Sequence, residues 1–315
     1  MEPATRSAAT APSSALERSR AVLVGLLGSG IQMSRTPTMH EAEATARGIP
    51  FVYRLLDTDL MGSPSPSLSD ILRFAEYLGF SGLNVTFPFK QAILPLLDEL
   101  SPAAREVDSV NTVVLRNGRR FGHNTDVWGF RENLRQGMDG AARSQVLLLG
   151  AGGAGAAVGH ALLDSGVDRL AVSDTDSEKA NALSDRLCAR FGAGRATVTQ
   201  DVAAAASAAD GIVNATPVGM AKLPGMPLPA DCIAPRHWIA DVVYFPLETE
   251  LLRHAREKGC RTLSGEGMAI FQAVRAFTLF TGVQPDTDRM KAAFDAFNGG
   301  SAIERAVVSN TKGGI

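Results

Sequence analysis

The chain has 315 residues, with 31 basic against 33 acidic side chains (formal net charge −2), 45% hydrophobic and 20% charged residues. That balance excludes a broad positive field for nucleic acid or an anionic membrane, and the composition excludes a collagen-like or low-complexity chain. The length predicts two domains, or one large domain with an insertion. Cys188, Cys232 and Cys260 are odd in number and widely spaced, so neither a disulfide framework nor a paired CxxC zinc site can be drawn, and a reducing compartment, the cytoplasm, is expected. The longest apolar run near the start, residues 21–27, is far short of a ~20-residue membrane span, and no export or anchoring signal follows it. Residues 1–20, rich in Ala, Ser, Thr and Pro, read as a disordered leader, with Glu2 and Glu17 unusual for a transit peptide.

From residue 21 the apolar pattern switches between short strand-like runs and helical periods, the signature of an α/β fold with a mainly parallel sheet. A strand at 21–26 leads into a loop with Gly28 and Gly30. A helix follows from Pro37 to Gly48, with proline at its first position and glycine after its last turn. A strand at 51–56, a helix capped by Ser67 or Ser69 and ending at Tyr77, and a strand at 82–85 come next. Asn117-Gly118 marks a hairpin between 111–116 and 119–122. After a helix at 127–136, a second unit opens with a buried strand at 145–149, a Gly-rich turn from Gly150 and a small-residue helix at 154–163. Strands at 169–173, 196–199, 211–214 and 239–243 alternate with helices, one of them at 177–191, as a doubly wound sheet requires. Helices at 267–280 and 286–297 have no partner strand and are expected to return to the first unit. The tail beyond 299 carries little pattern.

Gly150-Ala151-Gly152-Gly153-Ala154-Gly155 fits GxGxxG and falls where that motif has meaning, between a strand and a helix. There backbone N–H groups and the helix N-terminus can hold a pyrophosphate. Asp174 ends the next strand, 19 positions past Gly155, where a carboxylate accepts hydrogen bonds from the adenine ribose. Its plainer reading is a strand-end turn residue. A carboxylate there repels a 2′-phosphate, Asp176 adds a second, and no arginine stands in 174–176, so NAD is favoured over NADP. Lys179 is the one nearby cation that complicates this choice.

Hydride transfer from an alcohol leaves a hydroxyl proton to remove, so a base, a tyrosinate or a metal must stand beside the carbinol. Tyr53, Tyr77 and Tyr244 are followed four residues on by Asp57, Ser81 and Glu248, which excludes Tyr-x-x-x-Lys chemistry. The five histidines are scattered, and no metal is expected. What remains is Asn84-Val85-Thr86-Phe87-Pro88-Phe89-Lys90 and Asn124-Thr125-Asp126, polar residues at the ends of predicted strands. A lysine and a carboxylate paired in a cleft can shuttle a proton. Taken singly, Lys90 reads as a solvated helix-start lysine and Asp126 as a helix cap.

These segments resemble the shikimate/quinate dehydrogenase family, in order from about Val22 to Phe297. They are Ser34-Arg35-Thr36-Pro37 with His40, the run ending at Lys90, Val110-Asn111-Thr112, the run ending at Asp126, the glycine turn, Asn214-Ala215-Thr216-Pro217, 241–244, and 265–272. The resemblance implies a two-domain α/β fold: an N-terminal substrate and catalytic domain (21–125), a Rossmann-type doubly wound parallel sheet binding NAD (126–264), and C-terminal helices (265–298) completing the first domain. It implies that Lys90 handles the hydroxyl proton while Asp126 orients it and binds substrate. It implies that Ser34, Thr36, Asn84, Thr86, Asn111, Tyr244 and Gln272 hydrogen-bond the substrate, and that Val242 and Gly265 lie against the nicotinamide. Gly150 to Gly155, Asp174, Lys179 and Thr216 complete the expected cofactor set. Read alone, Ser34 and Thr36 could simply cap the helix at Pro37, and Tyr244 could be a core tyrosine; His40 is expected to pack in its helix. Many shikimate-specific, NADP-using members carry Ser at the place of Thr36 and an Asn-Arg-Thr segment at 174–176. This chain resembles instead the NAD-using branch that oxidises quinate and shikimate. The alternatives are an NADPH-dependent shikimate dehydrogenase and a non-catalytic dinucleotide sensor on the same fold. Neither nucleic acid nor membrane is an expected partner, and a homodimer is the one protein assembly considered.

Overall fold

The computed structural model describes residues 21–296. The expectations for the leader (1–20), for Phe297 and for the tail (299–315) lie outside those residues. The first unit comprises β1 (Val22–Gly28), α1 (Thr36–Ala46), β2 (Phe51–Asp57), α2 (Leu68–Tyr77), β3 (Gly82–Val85), α3 (Phe89–Ala92), β4 (Glu99–Leu100), α4 (Pro102–Val107), β5 (Thr112–Arg116) and β6 (Arg119–His123). Its six strands lie in the order β2-β1-β3-β5-β6-β4. β1 runs parallel to β2 and β3, whereas β5 runs antiparallel to both β3 and its hairpin partner β6, so this sheet is mixed. The turn of that hairpin is Asn117-Gly118, both with positive φ, as a two-residue hairpin loop requires. Ser67 rather than Ser69 caps α2, its hydroxyl accepting from the Asp70 amide.

α5 (Asp126–Gly137) leads into β7 (Gln145–Leu149), α6 (Gly153–Asp164), β8 (Arg169–Ser173), α7 (Ser177–Phe191), β9 (Ala196–Val198), α8 (Val202–Ala208), β10 (Gly211–Asn214), β11 (Trp238–Asp241), α9 (Glu250–Glu257) and β12 (Arg261–Leu263). These strands are all parallel, in the order β9-β8-β7-β10-β11-β12, the 3-2-1-4-5-6 winding of a dinucleotide-binding sheet. The central strands are continuous apolar runs because helices cover both faces, and Val146, Leu147 and Leu148 are wholly buried. The topological switch lies between β7 and β10, with the glycine turn at its mouth.

α10 (Gly265–Thr281) and a last helix at 287–296 bury Ile270, Phe277, Met290 and Phe294 against Met39 and Ala44 of α1. Each large apolar side chain buried there contributes about 1.5–3 kcal/mol. Glu43, wholly buried on α1, accepts from Arg47, from the Asp286 amide and from Arg289, which fixes the return. α5 packs against α10 on one side and α6 on the other, so one helix is shared by both units.

Three short elements of the first unit and the end of the second sheet differ from the sequence reading. β4, α3 and α4 are two to six residues long and carry no periodic signal. β12 has three residues at a sheet edge, and the predicted strand 239–243 ends at Asp241, because Asp241 turns its side chain back to cap the chain that follows.

Candidate active site

The first unit gathers its polar residues at the C-terminal ends of β1 and β3 and in the β6–α5 connection. Lys90 lies in the first turn of α3 and Asp126 opens α5; the Lys90 Nζ donates to Asp126 Oδ2 at 2.7 Å. Lys90 keeps 22% side-chain exposure and Asp126 8%, so the pair is held at an opening rather than sealed in a core. Asn124 Oδ1 accepts from the amides of Asp126 and Val127, capping α5, and Asn124 Nδ2 donates to the Ser109 carbonyl. The carboxylate of Asp126 is therefore not spent on the cap and is free to meet Lys90.

The neutral groups form connected hydrogen-bond chains. Asn111 Nδ2 donates to Thr125 Oγ1 at 2.9 Å, its Oδ1 accepts from the Thr125 amide at 2.8 Å, and Thr125 Oγ1 reaches Gln272 Oε1 on α10 at 3.4 Å. Asn84 Oδ1 accepts from the Tyr53 hydroxyl at 2.7 Å while its Nδ2 donates to Thr112 Oγ1 at 3.0 Å. Ser34 Oγ accepts from the Thr36 amide and donates to Thr36 Oγ1 at 3.2 Å. Ser34 thus meets the first amide of α1, as a cap does, while Thr36 stands inside the helix and the residue before it, Arg35, offers no side-chain cap. Thr86 closes β3, with its methyl against Gly28. Tyr244 keeps 37% exposure, which rules out a core tyrosine; burial of its hydroxyl end raises its titration, Arg35 opposes that rise and Asp126 adds to it. Arg35 is itself buried, stacked 4.5 Å over the Phe294 ring.

Across from these groups, Gly150 adopts φ +101°, which only glycine takes without strain, and a Cβ on Gly155 would stand 2.0 Å from the Gly150 carbonyl. A Cβ on Gly152 would meet nothing within 4 Å, and α6 begins with no side-chain cap. The uncapped amides and that open space fit a pyrophosphate. Asp174 Oδ2 accepts from the Ala151 amide at 2.6 Å, which fastens the carboxylate to the turn. A cleft of about 410 Å³ beside it is bounded by Asp174, Thr175, Gln200 and Thr216 among others, of a size and polarity that fit an adenosine half. Asp176 caps α7 and pairs with Lys179 at 2.9 Å, so the charge of Lys179 is already met. Gly265 packs on the Val242 carbonyl, where a Cβ would come to 2.3 Å.

Residues absent from the sequence-derived set hold this geometry. Thr125 joins Asn111 to Gln272, and Tyr53 orients Asn84. Asp241, 2% exposed, accepts from Asn214 Nδ2, the Val243 amide and Thr249 Oγ1; burial raises its carboxyl to about 6. Asn214 Oδ1 in turn accepts from the Thr216 amide and hydroxyl, so one buried chain joins Thr216 to the segment bearing Val242 and Tyr244. The available signal was a polar residue ending an apolar strand, which Asn214 and Asp241 both display. Among the described residues no group of three or more His, Cys, Asp or Glu could hold a metal, and no helix is long and apolar enough to cross a membrane.

A dinucleotide turn at the switch point of a doubly wound sheet, faced by a lysine–carboxylate pair from a second α/β unit, defines a two-unit nicotinamide-dependent oxidoreductase. Residues 26–113 match the model of the shikimate dehydrogenase substrate binding domain, and residues 265–293 that of the shikimate 5'-dehydrogenase C-terminal domain. The chain is 49% identical over 276 residues to a quinate/shikimate dehydrogenase (NAD(+)) of Corynebacterium efficiens, covering 87% of this chain and 97% of that protein. It is 50% identical over 283 residues to a shikimate dehydrogenase (NADP(+)) of Streptomyces avermitilis, covering 89% and 97%. A quinate dehydrogenase from Corynebacterium glutamicum solved in complex with NAD superposes with a TM-score of 0.83 at 47% identity, covering 88% of this chain and 99% of that one. The chain belongs to the shikimate dehydrogenase family.

Proposed function

We propose that the protein is an NAD-dependent quinate/shikimate dehydrogenase, which oxidises the C3 hydroxyl of either acid to the ketone. The observation that carries this reading is the 2.7 Å Lys90–Asp126 pair, partly exposed and set beside the glycine turn at Gly153. Bound at that turn, the nicotinamide supplies the carbon that accepts a hydride. Lys90 takes the hydroxyl proton, and Asp126 fixes the direction of its Nζ and accepts a second hydroxyl of the ring. Ser34, Thr36, Asn84, Thr86, Asn111, Tyr244 and Gln272 offer neutral donors and acceptors to the carboxylate and remaining hydroxyls, a set suited to a small hydrophilic acid. Gly150 to Gly155 hold the pyrophosphate, Asp174 and Thr216 border the adenosine side, and Val242 and Gly265 border the nicotinamide.

Relatives of equal similarity divide between NAD and NADP, so overall identity does not choose the cofactor. Asp174 does: its carboxylate is fastened to the turn where a 2′-phosphate would come, and Lys179, the one nearby cation, is paired with Asp176 at 2.9 Å. Steady-state rates for quinate and shikimate, each with NAD and NADP, test the reading. Turnover of both acids with NAD, and little with NADP, is expected. Efficient NADP turnover would favour the biosynthetic reading, and cofactor binding without turnover of either acid would favour a sensor.

A further inference from the structure

Three glycines of the turn answer to the dinucleotide motif itself: Gly150 by its positive φ, Gly155 by its contact with the Gly150 carbonyl, and Gly152 by the space it leaves open. Gly153 occupies an x position of GxGxxG, where the motif asks for no particular residue. Its surroundings belong wholly to the other unit. A Cβ built on Gly153 would stand 3.2 Å from Ser109 Oγ, 3.7 Å from Lys90 Cδ and 3.9 Å from Lys90 Cβ. The first of these is too close for an undisturbed contact, so Ser109 would have to give by a few tenths of an ångström.

Ser109 is badly placed to give. It is wholly buried, and its Oγ has no hydrogen-bond partner in the protein. Its amide donates to the Ala104 carbonyl at 3.2 Å and its carbonyl accepts from Asn124 Nδ2 at 3.0 Å. Asn124 is the residue that caps α5 and so sets Asp126. The next residue, Val110, donates its amide to the Lys90 carbonyl at 2.9 Å. A shift carried to the Ser109 backbone bears on both members of the Lys90–Asp126 pair, through Asn124 and Val110, and close-packed interiors transmit such shifts instead of absorbing them.

We infer that Gly153 and Ser109 are positioning residues, whose contact sets the spacing between the Lys90–Asp126 pair and the cofactor turn. The glycine is there to admit the substrate unit, and the serine is the stop against which that unit rests. This inference rests on the proposed roles of Lys90 and Asp126.

The test is a double-mutant cycle in the full-length protein with Gly153→Ala, Ser109→Ala and both, read by kcat, by its pH profile and by NADH affinity from fluorescence titration. Gly153→Ala is expected to lower kcat about threefold to tenfold, since a misplacement of about 1 Å costs ~100-fold and the shift here is a few tenths of that. It should also move the acid limb of the kcat profile while NADH affinity changes less than about threefold. Ser109→Ala removes the atom in the way, so the double variant should recover most of the lost kcat and the original pH limb. Ser109→Thr, which adds bulk from the opposite side of the same contact, should reproduce the Gly153→Ala loss and guards against a Gly153→Ala protein that fails to fold. An intact kcat with weakened NADH binding in Gly153→Ala, or no recovery in the double variant, overturns the inference. A wild type that binds NADH but oxidises neither acid overturns the functional reading and this inference with it.

Discussion

In the second unit the groups proposed to face the dinucleotide come from short stretches directly at strand ends, six of them consecutive from Gly150 to Gly155. In the first unit Lys90 and Asp126 are 36 positions apart, and Asn111, Thr125 and Gln272 meet only because α10 returns from the far end of the chain. A turn built from adjacent residues is set by backbone geometry and tolerates change in its surroundings. A site assembled from separate segments depends on each hydrogen bond in its chains, because an unmade buried bond costs about 1–3 kcal/mol and loosens its neighbours. Apart from Gly153, whose contact with Ser109 belongs to both units, the two should therefore fail differently: the cofactor side in specificity, the substrate side in rate.

The largest effect expected on the substrate side is that of Lys90→Ala, which should lower kcat by about 10²–10⁴-fold with NADH affinity little changed. Near-normal turnover in a folded Lys90→Ala protein would remove Lys90 from the chemistry. On the cofactor side, Asp174→Asn with Thr175→Arg should move the NAD-to-NADP ratio of kcat/KM toward NADP by about tenfold or more, by exchanging a repulsive carboxylate for a charge-assisted partner. An unchanged ratio would show that backbone geometry, not Asp174, selects the cofactor.

The units also titrate in opposite senses. His40 of the first unit is fully buried among Phe51, Tyr53, Phe277 and Phe280, and burial lowers its pKa to about 3. The unfolded chain binds that proton below about 6.5 and the folded one does not, so stability is lost as pH falls through this window, by about 2 kcal/mol at pH 5. Asp241 of the second unit has its pKa raised to about 6, so the folded chain binds the proton first and stability rises as pH falls from 6 toward 3.8, by about 1 kcal/mol at pH 5. Urea unfolding at pH 8 and pH 5 separates them. His40→Leu should lose less stability than wild type on acidification and Asp241→Asn should lose more; equal acid losses in all three proteins would refute both assignments.

The smallest expected effect is at Thr36. Its branched side chain has restricted χ1 and its Oγ1 accepts from Ser34, so it can present an oriented group to the C1 hydroxyl that quinate has and shikimate lacks. Quinate should be at least comparable to shikimate with NAD. Thr36→Val should lower the quinate-to-shikimate ratio by about 1 kcal/mol and Thr36→Ser by less. A ratio indifferent to both substitutions would remove Thr36 as a discriminator.

Residue order alone determined much of this protein. Strands β3, β7, β8 and β10 and helix α7 begin and end where periodicity and turn residues place them, and the glycine turn falls between strand and helix as its motif demands. Local signals suffice there, because a strand's alternation, a cap or a positive φ is decided within a few residues. Tertiary structure decided the rest. The two-residue β4 and three-residue β12 exist only as edges added to formed sheets. Asn84 needed Tyr53, and Asn111 needed Thr125 and Gln272, before either pointed into the site, and no spacing along the chain encodes those partners. Gly153 shows the same division: its place in a motif is legible, but the close approach that a Cβ there would make is to Ser109 Oγ of the other unit, which only packing brings within reach.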